Sequence, residues 1–73
     1  MSCTLSEIKL AAYNWKEPQG ATERDLRLWK ELGYCYEWYR MHPEDKADCD
    51  ALAKDYIEMW EEDTKSELYR GQR

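Results

Sequence analysis

Thr22 to His42, TERDLRLWKELGYCYEWYRMH, decides the fold, because it gathers aromatic and apolar side chains at helical spacing between two clear stops. At 100° per residue its apolar residues form two arcs. Leu28, Trp29, Leu32, Cys35, Tyr36 and Tyr39 share one side; Tyr34, Trp38 and Met41 lie nearly opposite. A helix apolar on both sides needs cover on both sides, so this segment is expected to be the central helix of a small bundle. Thr22 should cap it with Asp25 three residues on. Pro43 should end it near Met41 or His42. Gly33 falls inside, at a cost of about 1 kcal/mol against alanine, which a close helix crossing could offset.

Working outward, Thr4 and Glu7 have capping-box spacing, and Leu5, Ile8, Ala12 and Trp15 follow at steps of three, four and three. That predicts a first helix over 5–17, stopped before Pro18. Glu17-Pro18-Gln19-Gly20 reads as a turn, and a short turn makes antiparallel neighbours. Pro43-Glu44-Asp45 opens a third helix with proline in the first turn and carboxylates at the positive end of the macrodipole. Cys49, Leu52, Tyr56 and Met59 carry its apolar stripe, widened by Ala53 and Trp60, to about Glu62. Asp63 would then fall on the apolar side, and Thr64-x-x-Glu67 offers a further capping box, so 64–69 is expected to be either a separate short turn or a frayed extension of the helix, and 70–73 a free end.

The expectation is therefore all-α: one domain over 1–73, an antiparallel three-helix bundle with helices near 5–17, 22–41 and 43–62. Its expected core is Leu5, Ile8, Ala12, Trp15, Leu28, Trp29, Leu32, Tyr36, Tyr39, Leu52, Tyr56, Met59 and Trp60. With 73 residues the core is small, and the four Trp and six Tyr must supply most of its apolar area.

Composition excludes several function classes. No run approaches the roughly 20 apolar residues that cross a bilayer, and Glu7, Lys9 and Asn14 interrupt any leader-like stretch, so no membrane association and a cytoplasmic setting are expected. Cys3, Cys35 and Cys49 make an odd count that fits reduced thiols better than a disulfide framework. Cys35, His42 and Cys49 are spaced by seven, too far apart along a helix to share a tetrahedral metal, so no metal site and no cofactor are expected. One histidine, no nucleophile and base at a recognisable spacing and no phosphate-cradling glycine loop point away from an enzyme.

What remains is binding. Net charge is −5, and residues 44–67 hold ten acids against Lys46, Lys54 and Lys65. On a helical wheel Glu44, Asp48, Asp55, Glu58 and Glu62 fall within about 80° of one another. A solvated outer face is the ordinary reading of such a stripe. Yet like charges at i,i+3 and i,i+4 each cost a few tenths of a kcal/mol, and a ladder of carboxylates suits a basic protein surface, including one meant for nucleic acid. Small inhibitors that mimic nucleic acid are acidic in this general way. Tyr34, Trp38 and Met41, flanked by Arg27 and Glu31, form a second candidate surface, of residue types enriched at interface centres, unless they pack under a neighbouring helix. Two readings follow: an acidic inhibitor or regulator docking on a basic protein, or a homodimer or scaffold component joined through the Trp38 patch. A third, direct nucleic-acid binding through Arg24, Arg27, Lys30 and Arg40, starts at a disadvantage in an acidic chain.

Overall fold

The computed structural model describes residues 3–71, with side chains to Ser66. It contains three α-helices, α1 Leu5–Tyr13, α2 Glu23–Met41 and α3 Lys46–Gly71, with a short 3₁₀ turn at Pro43–Asp45 and no strand among the described residues. The all-α class and the three helices are as expected. None of the described helices is long and apolar enough to cross a membrane.

The capping boxes predicted for the first two helices form. The Thr4 hydroxyl accepts from the Glu7 N–H while Glu7 accepts from the Thr4 N–H, and Thr22 and Asp25 exchange the same pair of bonds. These satisfy backbone donors that a helix start otherwise leaves free.

α1 is shorter than the periodicity predicts. It stops at Tyr13 because Trp15 adopts a left-handed backbone, φ 52°. Trp15 N–H then reaches the Ala12 carbonyl and Lys16 N–H reaches the Ala11 carbonyl, the two bonds of a Schellman stop. Glycine normally takes that position. Here the indole repays the strain by lying on Gly33 of α2, edge-on to Trp29 and Tyr34. The cover that Gly33 calls for is thus a side chain from the connection rather than a helix crossing.

The expected short turn at 17–20 is part of a longer return. Cys3 lies beside the start of α2, its N–H donating to Asp25, and Tyr13 lies beside the end of α2, its carbonyl accepting from Arg40 at 2.6 Å. The antiparallel arrangement holds for α2 and α3, whereas α1 begins and ends beside the corresponding ends of α2. The chain runs back from 14 to 22 along that helix, and the Cys3 thiol donates to the Gln19 carbonyl on the way.

α2 is the middle element. It packs against both neighbours, while among the described residues no Cα of α1 comes within 8 Å of one in α3. Ile8, Ala12, Leu28, Leu32, Cys35, Cys49 and Ala53 form the buried centre, with Leu5, Trp29, Tyr36, Tyr39, Tyr56 and Trp60 packed partly around it. Three expected core residues are not in it. Trp15 is on the surface of the connection, and Leu52 and Met59 are 51% and 61% exposed. α3 has one helical neighbour, so only a narrow arc is covered, and the residues on it are the small Cys49 and Ala53, which let the two helices approach.

Of the two expectations for 64–69, a separate turn or an extension, the helix takes the second: α3 continues. Thr64 does not cap a new turn; its hydroxyl donates to the Trp60 carbonyl at 2.8 Å, and the backbone stays helical through 64–69 to Gly71. Asp63 is exposed, at the edge of a depression that Arg24 and Arg27 also line, so the helix continues without burying its charge. Of the expected free end at 70–73, Gln72 and Arg73 lie outside the described residues.

Candidate interaction groove between the second and third helices

α1 and the returning connection cover one side of α2. The other side, where α2 and α3 lie next to each other, carries an open groove in two successive depressions. One, of about 440 Å³, has Tyr34, Trp38, Cys35, Cys49 and Leu52 in its walls, with Asp45 of the 3₁₀ turn and Asp48 of α3 along its edge. The next, of about 120 Å³, runs between Arg24, Arg27 and Leu28 on α2 and Met59, Trp60 and Asp63 on α3. Glu31 and Tyr56 line both.

The second apolar arc of α2 is therefore not under another helix. Tyr34 and Trp38 are 53% and 49% exposed; Leu52 shares their depression from α3, and Met59 lies exposed in the next one, across from Arg24, Arg27 and Leu28. Trp38 is nevertheless fixed. Its indole N–H donates to Asp45 at 3.0 Å, and its ring lies 4.3 Å from that of His42. The contact area it offers is held in place by the α2–α3 junction, which lowers the entropy lost on binding.

Glu31 and Tyr56 meet at the waist of the groove. The Tyr56 hydroxyl is held above its usual range, first by the Glu31 charge, then by burial and by its hydrogen bond to that carboxylate. The thiols of Cys35 and Cys49 are also pushed up, by burial first, then for Cys35 by Cys49 and Glu31 and for Cys49 by Asp45 and Asp48. At neutral pH this floor is uncharged and the rim is acidic.

The sequence-derived residues separate as follows. Asp48 of the acidic stripe joins Tyr34 and Trp38 in one depression, so the two candidate surfaces share an edge. Glu44 leaves the stripe: it sits on the 3₁₀ turn and lies 3.6 Å from His42. Asp55, Glu58 and Glu62 are exposed on the outside of α3, and Glu58 turns toward a shallow hollow shared with Lys9 of α1. Met41 is exposed and lines neither depression, and Arg27 belongs to the second depression rather than to the Trp38 patch.

The basic set Arg24, Arg27, Lys30 and Arg40 is not one face. Arg40 points toward α1, over the Tyr13 ring at 4.2 Å, with its guanidinium on the Tyr13 carbonyl. Among the described residues, His42, Glu44 and Asp45 are the one group whose ligand atoms lie within 4.8 Å of one another. They sit on an exposed turn, and Asp45 already accepts from Trp38. Cys35 and Cys49 are buried apart from His42 in the groove floor.

Sequence reasoning placed Leu52 and Met59 in the core and so missed one wall of the groove. A signal was present. Both lie at the Asp48 and Asp55 edge of the α3 stripe, whereas Cys49 and Ala53 lie toward its other side, so small residues marked the contact line and large ones the opposite margin. Compared with known proteins, the chain matches no family model, no curated protein and no solved structure.

Proposed function

We propose that this chain is a protein-interaction module that docks a basic partner on the α2–α3 groove and thereby blocks or regulates that partner's surface. The observation that carries the reading is one apolar groove, with Trp38 and Leu52 about half exposed in its walls, edged by Asp45 and Asp48. Exposed aromatic and aliphatic groups supply the desolvation energy of an interface, and acidic rims speed encounter with a cationic surface. Asp55 and Glu62, exposed beyond the rim, extend the same field. The activity is binding rather than catalysis, and the unpaired thiols of Cys3, Cys35 and Cys49 suit a cytoplasmic setting.

The test is capture from the source cell's lysate with three folded baits: wild type, Leu52→Glu and Asp48→Lys. A basic protein held by the wild type, lost from both variants and released by raising salt supports the proposal. Retention of the same proteins by all three baits, or retention indifferent to salt, overturns it.

A further inference from the structure

The two depressions repeat each other along α2. Arg24, Arg27, Leu28 and Glu31 wall one, and the residues seven positions later, Glu31, Tyr34, Cys35 and Trp38, wall the next. Each set has the i, i+3, i+4, i+7 spacing of a hole that receives one side chain of a facing helix. Seven residues advance about 10.5 Å along α2. On α3, Cys49 and Leu52 in the first depression are followed seven positions later by Tyr56 and Met59 in the second. Two walls with the same heptad step form the seam of a helical bundle with one member missing.

The ends of the seam differ in charge. Around Trp38 the lining acids are Glu31, Asp45 and Asp48, with no lysine or arginine in the walls. At the far end Arg24 and Arg27 stand with Glu31 and Asp63. A helix has a positive N-terminus and a negative C-terminus, so this asymmetry selects its direction.

We infer that the groove takes one amphipathic helix of the basic partner, lying parallel to α3, with its N-terminus and cationic residues over Asp45 and Asp48 and its large apolar residues seven positions apart. This rests on the reading of the groove as a docking surface for a basic protein. A second copy of the chain is the poorer occupant. It brings its own net charge of −5 toward an end lined by Glu31, Asp45 and Asp48, so the overall field opposes that approach where a basic partner's favours it.

The probes are two amphipathic peptides of about 18 residues, long enough to span both depressions at roughly 27 Å. They share one composition and leucines at heptad spacing, with the lysines in the N-terminal half of one and the C-terminal half of the other. Titrated into the isotope-labelled full chain, the N-terminal-lysine peptide should bind about fivefold tighter, the scale of one favourable helix-terminus interaction. A nitroxide on its N-terminus should broaden the Asp48 and Cys49 amides and spare Asp63. Leu52→Glu, checked for an intact amide spectrum, should weaken both peptides at least tenfold, and Asp48→Asn should shrink the difference between them.

Equal affinities, or broadening at Asp63 from an N-terminal label, overturn the assigned direction. Binding unaffected by Leu52→Glu overturns the groove as the seat of the helix, and dimerisation of the free chain through that same groove gives the seat to a second copy. If both peptides fail while the captured partner still depends on Leu52 and Asp48, the helical occupant falls and the docking surface stands. If capture itself ignores those variants, the functional reading falls first.

Discussion

The indole N–H of Trp60 ends on the carboxylate of Asp25, 2.8 Å away and thirty-five residues earlier in the chain. Asp25 is fully buried, and the same carboxylate accepts from the Cys3 N–H at 2.8 Å and from the Thr22 N–H at 3.1 Å. One side chain therefore joins the N-terminal segment, the cap of α2 and the far part of α3. Burial works against its charge, yet the donors converging on it hold its carboxyl below the usual carboxylate range.

Asp25→Ala leaves the Cys3, Thr22 and Trp60 donors without their acceptor in a small core. A loss of about 3 kcal/mol or more is expected, since hydrogen bonds to a charged group contribute about 1.5–3 kcal/mol each and orphaned buried donors add their own cost. Asp25→Asn keeps the shape and should lose less. Urea unfolding followed by circular dichroism measures both; equal stability of Asp25→Ala and wild type would remove Asp25 from this role.

The same carboxylate gives a pH dependence of known sign. Its folded value is lowered from the usual 3.8, so its contribution is whole well above that value and is lost as pH falls through it toward the folded value. Wild type should therefore lose stability below about pH 5 more steeply than Asp25→Asn. Parallel acid profiles for the two proteins would contradict the assignment.

A Cβ on Gly33 would come within 2.8 Å of the Trp15 ring. Gly33→Ala should therefore displace that indole and change the near-ultraviolet dichroism, offsetting the gain in helix propensity. With Trp15→Ala in the background the obstacle is gone, and Gly33→Ala should stabilise by about 1 kcal/mol. A Gly33→Ala effect that is the same in both backgrounds would show that the ring and the glycine do not interact.

The groove wall can be changed at little cost to folding. Leu52→Glu and Met59→Lys replace residues more than half exposed, and each should alter unfolding free energy by less than about 1 kcal/mol. Leu32→Ala, at a fully buried position, should cost about 2–5 kcal/mol. Thermal melts of the three variants distinguish wall from core directly.

Cys3, Cys35 and Cys49 are buried, and burial, reinforced by neighbouring acids, pushes each thiol above its ordinary range. At pH 7 all three should react slowly with a thiol reagent, at rates that rise together with urea as the fold opens. A thiol that reacts at the rate of a free cysteine in native buffer would place that residue at the surface.

The sequence by itself determined the three helices, both capping boxes, the stop at Pro43 and most of the buried positions from Ile8 to Trp60. These are local matters, set by caps, proline and the 3.6-residue period acting within a few turns. Only the tertiary structure decided that α1 stops at Tyr13, that α3 runs past Asp63, and that Leu52 and Met59 stay exposed along the groove. The first depends on a residue distant in sequence, Gly33 beneath the Trp15 indole, and the last on α3 having a single helical neighbour among the described residues. A hydrophobic period tells which side of a helix is apolar. It does not tell how many neighbours the fold brings to cover that side, and here the uncovered remainder is the groove.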